Sequence, residues 1–282
     1  MGPMRSIAGA LVLVAALGCP KQDDTQGSSS TAPPSAAPVV PSVATRPATE
    51  APPGVPRNDA STPADRRTER TALVKRLRQD GIASEGVLSA IGRVPRHAFV
   101  PEAVTARAYA NEPLSIGHGQ TISQPIVVAA MTEAAGPRPR DKCLEIGTGS
   151  GYQAAILAEL CDKVYSIEYL QPLAETAERN LRRAGYDAGR VALRTGDGYR
   201  GWPEAAPFDV VLVTAAPESI PPPLLDQLAP RGRLVIPVGP RQGTQQLELW
   251  VRSPDPDGGF TRTPLMIVRF VPFVGEADPR RR

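Results

Sequence analysis

LEIGTGSGYQ, Leu144 to Gln153, opens as a short apolar run and ends as the start of an amphipathic helix. Between them Gly147, Thr148, Gly149, Ser150 and Gly151 turn the chain. Glycines at such a turn let backbone N–H groups approach a ligand closely, and the following helix N-terminus adds a partial positive charge. A second apolar run, KVYSIE, ends at Glu168, 21 residues after Gly147. A carboxylate at that spacing can accept hydrogen bonds from both hydroxyls of a ribose. Strand, glycine loop, helix, strand and acid together point to a nucleoside-bearing cofactor.

The same alternation continues outward. KCLEI, KVYSIE, VALRT, FDVVLVT and RLVIPVG read as buried strands. GYQAAILAEL, PLAETAERNLRRAG and PPPLLDQLAPRG read as the helices between them. β-branched strands alternating with helices predict an α/β fold, a Rossmann-like, doubly wound, mostly parallel sheet. QLELWVR and PLMIVRFVPFV alternate more and predict an antiparallel edge. Upstream, Thr62 and Pro63 predict the start of a helix that ends before Gly81. A second helix spans Ser84 to about Ile91, and RVPRHAFVPEAV reads as a Pro-bounded turn and a further helix. These form an N-terminal helical extension. SIGHGQTISQP, Ser115 to Pro125, reads as a glycine- and hydroxyl-rich loop between helical segments.

Residues 1–19, MGPMRSIAGALVLVAALGC, carry a positive flank and an apolar stretch too short for an ordinary membrane span. They have the form of a secretory signal, and ALGC resembles a lipoprotein cleavage box in which Cys19 would be lipidated. A mis-assigned start is the alternative reading. Residues 20–61 are Pro/Ala/Ser/Thr-rich and cannot bury enough apolar surface to offset their ordering entropy, so they read as a disordered tether. The folded domain is expected over 62–282. The chain has 32 basic and 29 acidic residues, a net charge of +3, too balanced to suggest a nucleic-acid partner. Three widely spaced cysteines, Cys19, Cys143 and Cys161, suggest neither a disulfide framework nor a zinc pattern, and with two histidines no metal site is expected. A monomer is expected.

The glycine spacing is G-x-G-x-G rather than the dinucleotide G-x-G-x-x-G, and Glu145 precedes it. An acid there would repel a pyrophosphate and suit a cationic amino-acid cofactor. The segment therefore resembles motif I of the S-adenosylmethionine-dependent methyltransferases. TGDG, Thr195 to Gly198, follows the third strand. In that family an acid here reaches the adenine amino group, which makes Asp197 a candidate beside Gly198, with a plain turn role as the alternative.

RVPRHAFVP, PLSIGHGQTISQP, LEIGTGSGYQ, GDG, FDVVLVTAAP, LVIPVG and RFVPF occur in this order. Together they closely resemble the protein-L-isoaspartate O-methyltransferase family, from about residue 65 to 276. Ser115 stands where that family usually has Pro. The resemblance implies S-adenosylmethionine as cofactor and isoaspartyl-containing proteins and peptides as substrates. The free α-carboxylate of the L-isoaspartyl residue would be methylated, and the ester would collapse to a succinimide that reopens partly to Asp. Glu145, Gly147, Thr148, Gly149, Gly151, Glu168, Asp197 and Gly198 would serve the cofactor. Ser123 matches the family's active-site serine and Thr121 is the second hydroxyl contact. Ser123 as a helix N-cap is the structural alternative. Arg269 is either a cation near the substrate or an exposed strand charge. His97 reads as a packed residue. A methyltransferase retuned to another acid and a non-catalytic envelope binding protein are the competing functions. The family and the cofactor's supply imply the cytoplasm; the start of the chain implies export.

Overall fold

The computed structural model describes residues 65–255 and 257–279. The signal-like segment, the tether and the Thr62–Pro63 helix start lie outside the described residues. Helix α1, Arg67–Gln79, and α2, Glu85–Arg93, pack as a pair, with Leu73, Leu77, Val87, Leu88 and Ile91 buried. Ser84 is the N-cap of α2, and its hydroxyl accepts from the Val87 N–H at 3.4 Å. RVPRHAFVPEAV forms two short 3-10 turns, Arg96–Phe99 and Glu102–Arg107, instead of a turn and a helix. Pro95 and Pro101 precede them and prevent a continuous ladder.

The hydroxyl-rich stretch is also not the predicted loop. Strands β1, Leu114–Gly117, and β2, Gln120–Ile122, form an antiparallel hairpin. Its turn is possible because Gly117, His118 and Gly119 all take positive φ. Helix α3, Pro125–Ala135, follows with Pro at its first position and left-handed Gly136 as its C-cap.

The main sheet has seven strands. β3, Lys142–Ile146, and β4, Lys163–Glu168, flank helix α4, Tyr152–Ala158. Helix α5, Gln171–Arg183, leads to β5, Val191–Thr195. β6, Phe208–Val213, and the short helix α6, Pro222–Asp226, lead to β7, Leu228–Val238. β8, Gln245–Arg252, and β9, Phe260–Val268, complete the order β5-β4-β3-β6-β7-β8-β9. The first five are parallel, and β8 and β9 are both antiparallel to their neighbours, so the predicted edge is two strands wide. The predicted last helix is reduced to α6, because the chain is already extended by Leu228.

The sheet separates two apolar layers. On one face Cys143, Val210, Leu212 and Val235 meet α3, α4 and the α1–α2 pair. On the other Leu144, Val211, Val213, Leu234 and Ile236 meet α6, Tyr199 and Phe273. Burying each such aliphatic side chain contributes roughly 1.5–3 kcal/mol. Contrary to the reading of the cysteines, Cys143 on β3 and Cys161 beyond α4 form a buried disulfide, their Cα atoms 6.4 Å apart. Sequence spacing alone could not reveal it, because α4 folds back and returns Cys161 beside the start of β3. Among the described residues no helix is long and apolar enough to cross a membrane.

Candidate active site

Connections from β3 run one way across the sheet, to β4 and β5, while β6 and β7 lie on the other side. The crevice at the carboxyl ends of β3 and β6 is therefore a topological switch point, where open α/β sheets bind ligands. A cleft of about 580 Å³, a figure that includes open solvent space, lies there. Its walls include Gly147, Gly149, Glu168, Gly198, Thr214 and Phe273.

The loop after β3 has little freedom of sequence. Gly147 has φ +94°, and a Cβ there would collide with the Thr214 hydroxyl. That hydroxyl donates to the Gly147 carbonyl at 2.7 Å, with the Ile146 carbonyl 3.0 Å away. Gly149, φ +56°, donates its N–H to Glu168 Oε2 at 2.8 Å. The Leu170 N–H donates to Glu168 Oε1 at 2.9 Å. Both oxygens of Glu168 are thus aimed by backbone at the end of β4, and each keeps a lone pair. Gly151 does a different job: its missing Cβ makes room for Leu181 of α5, 3.0 Å from where that atom would stand.

Glu145 and Thr148 do not line the cavity. Glu145 is fully buried beside Ser166 and Leu212, its register partners. The Ser166 hydroxyl donates to Glu145 Oε2, and the Thr148 hydroxyl lies 2.6 Å from Ser166 Oγ. Oε1 has no partner. Burial pushes the Glu145 carboxyl up to about 8, aided by the charge of Glu168 and opposed by the Ser166 hydrogen bond. It is mostly protonated at neutral pH, so it anchors the loop from beneath through Ser166 and Thr148. Asp197 is likewise engaged with backbone. Its Oδ1 accepts from the Tyr199 N–H at 3.0 Å and its Oδ2 from the Ala277 N–H at 2.7 Å. It caps the Gly198 turn and ties down the C-terminal segment, while Gly198 itself lines the cavity.

A second cleft, about 460 Å³ with its open solvent space included, adjoins the first. Thr121, Ser123, Gln124 and Thr214 meet Val268, Arg269, Phe270 and Val271 around it. Thr121, Thr214 and Val271 line both cavities. Ser123 is not the cap of α3: Gln124 holds that position, and the Asn111 side chain accepts from the Ile126 N–H at 3.0 Å. Among the described residues, the Ser123 and Thr121 hydroxyls make no hydrogen bond. Arg269 is exposed at the cavity margin, where its Nε donates to the Gly243 carbonyl at 3.2 Å. His97 lies elsewhere, its Nδ1 2.6 Å from the Tyr109 hydroxyl, and His118 is in the exposed hairpin turn.

The sequence reading missed Thr214, and it ran the edge strand on through the segment Val271–Val274, whereas β9 ends at Val268. That segment runs beside the end of β6, where the Phe273 N–H donates to the Ala216 carbonyl at 2.9 Å and the Ala216 N–H to the Val271 carbonyl at 2.9 Å. FDVVLVTAAP carried a signal for Thr214, a lone hydroxyl at a strand end facing a glycine loop.

Residues 68–278 match the family described as protein-L-isoaspartate(D-aspartate) O-methyltransferase. A protein-L-isoaspartate O-methyltransferase of Opitutus terrae is 56% identical over 212 residues, covering 75% of this chain and 89% of that protein. A solved protein-L-isoaspartate O-methyltransferase structure superposes with a TM-score of 0.67 at 29% identity, covering 73% of this chain and 66% of that one. A Plasmodium falciparum structure, described as a beta-aspartate methyltransferase in complex with S-adenosyl-L-homocysteine, gives a TM-score of 0.63 at 24% identity, over 73% of this chain and 98% of that one.

Proposed function

Because the chain belongs to the protein-L-isoaspartate(D-aspartate) O-methyltransferase family, we propose that its two adjoining cavities divide one reaction, cofactor on the Gly147 side and acid on the Ser123 side. The activity is transfer of a methyl group from S-adenosylmethionine to the free α-carboxylate of L-isoaspartyl residues, which begins their repair through a succinimide. The residues present fit that cofactor. Glu168 would take the ribose hydroxyls. Ile167, Gly198 and Phe273 offer the apolar slot a purine requires, and Gly147 and Gly149 leave room for close approach. Asp197 and Glu145 act through the backbone and hydroxyls they hold.

When bound, the cofactor supplies a sulfonium methyl that is already electrophilic. A carboxylate is ionised at neutral pH, so the chain has no base to provide. Its task is orientation and removal of water. The Ser123 and Thr121 hydroxyls donate to the carboxylate, and Val268, Phe270 and Val271 exclude solvent beside it. Arg269 stands at the margin, suited to a further anionic group of the peptide. The observation that supports this reading is the shared wall of Thr121, Thr214 and Val271, across which an anion held by the hydroxyls would lie next to the cofactor cleft. Given S-adenosylmethionine, the purified chain should release methanol from an isoaspartyl peptide and not from its Asp isomer. Turnover of neither contradicts the reading.

The disulfide favours one placement in the cell. Buried disulfides form and persist in oxidising compartments, which supports export through residues 1–19 over the cytoplasmic placement suggested by cofactor supply. A monomeric domain would then stand off the membrane on residues 20–61, anchored by lipidated Cys19. Mass spectrometry of the mature protein decides: acylated Cys19 with bridged Cys143–Cys161 supports export, while an intact N-terminus with free thiols contradicts it.

A further inference from the structure

Arg96 is fully buried, yet no carboxylate pairs with it among the described residues. Its Nε donates to the Ala108 carbonyl at 2.9 Å and its Nη2 to the Ser123 carbonyl at 2.8 Å. The guanidinium lies over the Tyr152 ring, 4.9 Å from its centroid. Nη1 and the Tyr152 hydroxyl both lack hydrogen-bond partners. A buried cation without a counterion is expensive, and a core of this size could have used an apolar side chain instead. The position of the charge offers a reason. It grips the main chain of Ser123, which lines the proposed acid-binding cavity, and no carboxylate among the described residues pairs with it.

We propose that Arg96 is a positioning residue for the substrate carboxylate through its charge: seated against the Ser123 carbonyl, it supplies the positive charge that draws the anion in. This rests on the reading of the Ser123 cavity as the acid site. Its signature follows from the charges of the reaction. An anionic carboxylate and a cationic sulfonium become two neutral products, so the carboxylate loses charge on the way to the transition state. A fixed cation behind it favours the bound ground state more than the transition state. Removing the charge should therefore weaken peptide binding without a matching loss of turnover.

Arg96→Met in the full chain tests this, with steady-state kinetics on an isoaspartyl peptide and on S-adenosylmethionine, and thermal melting alongside. The expected result is a KM for the peptide raised roughly tenfold, with kcat at saturation equal to or above that of the parent. KM for S-adenosylmethionine should not rise. An unchanged peptide KM overturns the proposal. So does a parallel fall of kcat and of both affinities, the mark of a purely packing role. Should Arg96→Met fail to fold, Arg96→Lys serves: it keeps the charge, so peptide KM should stay within about threefold while the melting temperature falls with the lost carbonyl bonds. A tenfold rise there overturns the proposal. The parent enzyme is the control: if it does not turn over the isoaspartyl peptide, the acid-site reading fails and this inference with it; if it does, the variants judge Arg96 alone.

Discussion

The two adjoining cavities are built on opposite plans. On the proposed cofactor side Glu168, Thr214 and Asp197 are each held by backbone partners, and Glu168 keeps a lone pair on each oxygen for a ligand. Glu168 accepts two backbone N–H groups, Thr214 holds the Gly147 carbonyl, and Asp197 accepts from Tyr199 and Ala277. On the acid side the Ser123 and Thr121 hydroxyls make no hydrogen bond among the described residues, and a buried cation stands behind Ser123. One cavity is shaped in advance for a ligand of fixed form. The other, in the proposed division, keeps its donors open for a carboxylate presented by many different peptides. A rigid cofactor seat beside adaptable donors suits an enzyme that must find one kind of damage in varied sequences.

Four changes break or sharpen this contrast. The largest effect belongs to Gly147→Ala, which puts a Cβ into Thr214 at φ +94°. Affinity for S-adenosylhomocysteine by calorimetry should fall at least about 100-fold, because both loop and hydroxyl must shift. Next is the disulfide, which closes a loop of sequence separation 18 around the glycine turn and α4. Opening it, by Cys143→Ser or a reductant, should cost about 3 kcal/mol of stability in denaturant melts. It should also weaken cofactor binding, since the cross-linked segment carries the cofactor seat and none of the acid-side hydroxyls.

Ser123→Ala acts on the other side alone. It should lower kcat/KM for an isoaspartyl peptide roughly 10- to 100-fold, the effect of losing one donor to a charged group, and leave S-adenosylhomocysteine affinity unchanged. A loss of cofactor affinity would show that the cavities are not separable. The smallest effect is at Glu145. Its buried carboxyl titrates near 8 against an ordinary 4.5, so the folded state holds the proton more tightly than the unfolded chain. Its contribution to stability is full below about pH 4.5 and is lost as pH rises through about 8. Glu145→Gln keeps the neutral form at all pH. The parent's stability relative to this variant should decline across that window in urea melts; a flat difference would mean the carboxyl titrates normally.

The same contrast governs what could be read without coordinates. The cofactor seat was legible because it is local: Gly147, Gly149 and Glu168 lie within one strand–helix–strand unit, whose period and turn chemistry follow from adjacent residues. The strands β3 to β6 were legible for the same reason. The acid cavity is assembled from distant segments, the β1–β2 hairpin and residues 268–271, and its joining depends on how the chain closes after β9. Ser123 and Thr121 entered through family resemblance, not through periodicity. The hairpin was hidden because its strands are only four and three residues long. Glu145 and Asp197 were placed in the right neighbourhood, but their partners, Ser166 and the Ala277 N–H, lie across the sheet or far along the chain. The disulfide and the Arg96 cation depend on tertiary return and left no local mark.

The most direct test is a crystal structure of the chain with S-adenosylhomocysteine and an isoaspartyl peptide. The account predicts the nucleoside against Gly147 and Glu168, and the peptide's free carboxylate hydrogen-bonded to Ser123 with its open face toward the sulfur across Thr121 and Thr214. A carboxylate bound away from Ser123, or a nucleoside outside the β3–β6 crevice, would contradict it.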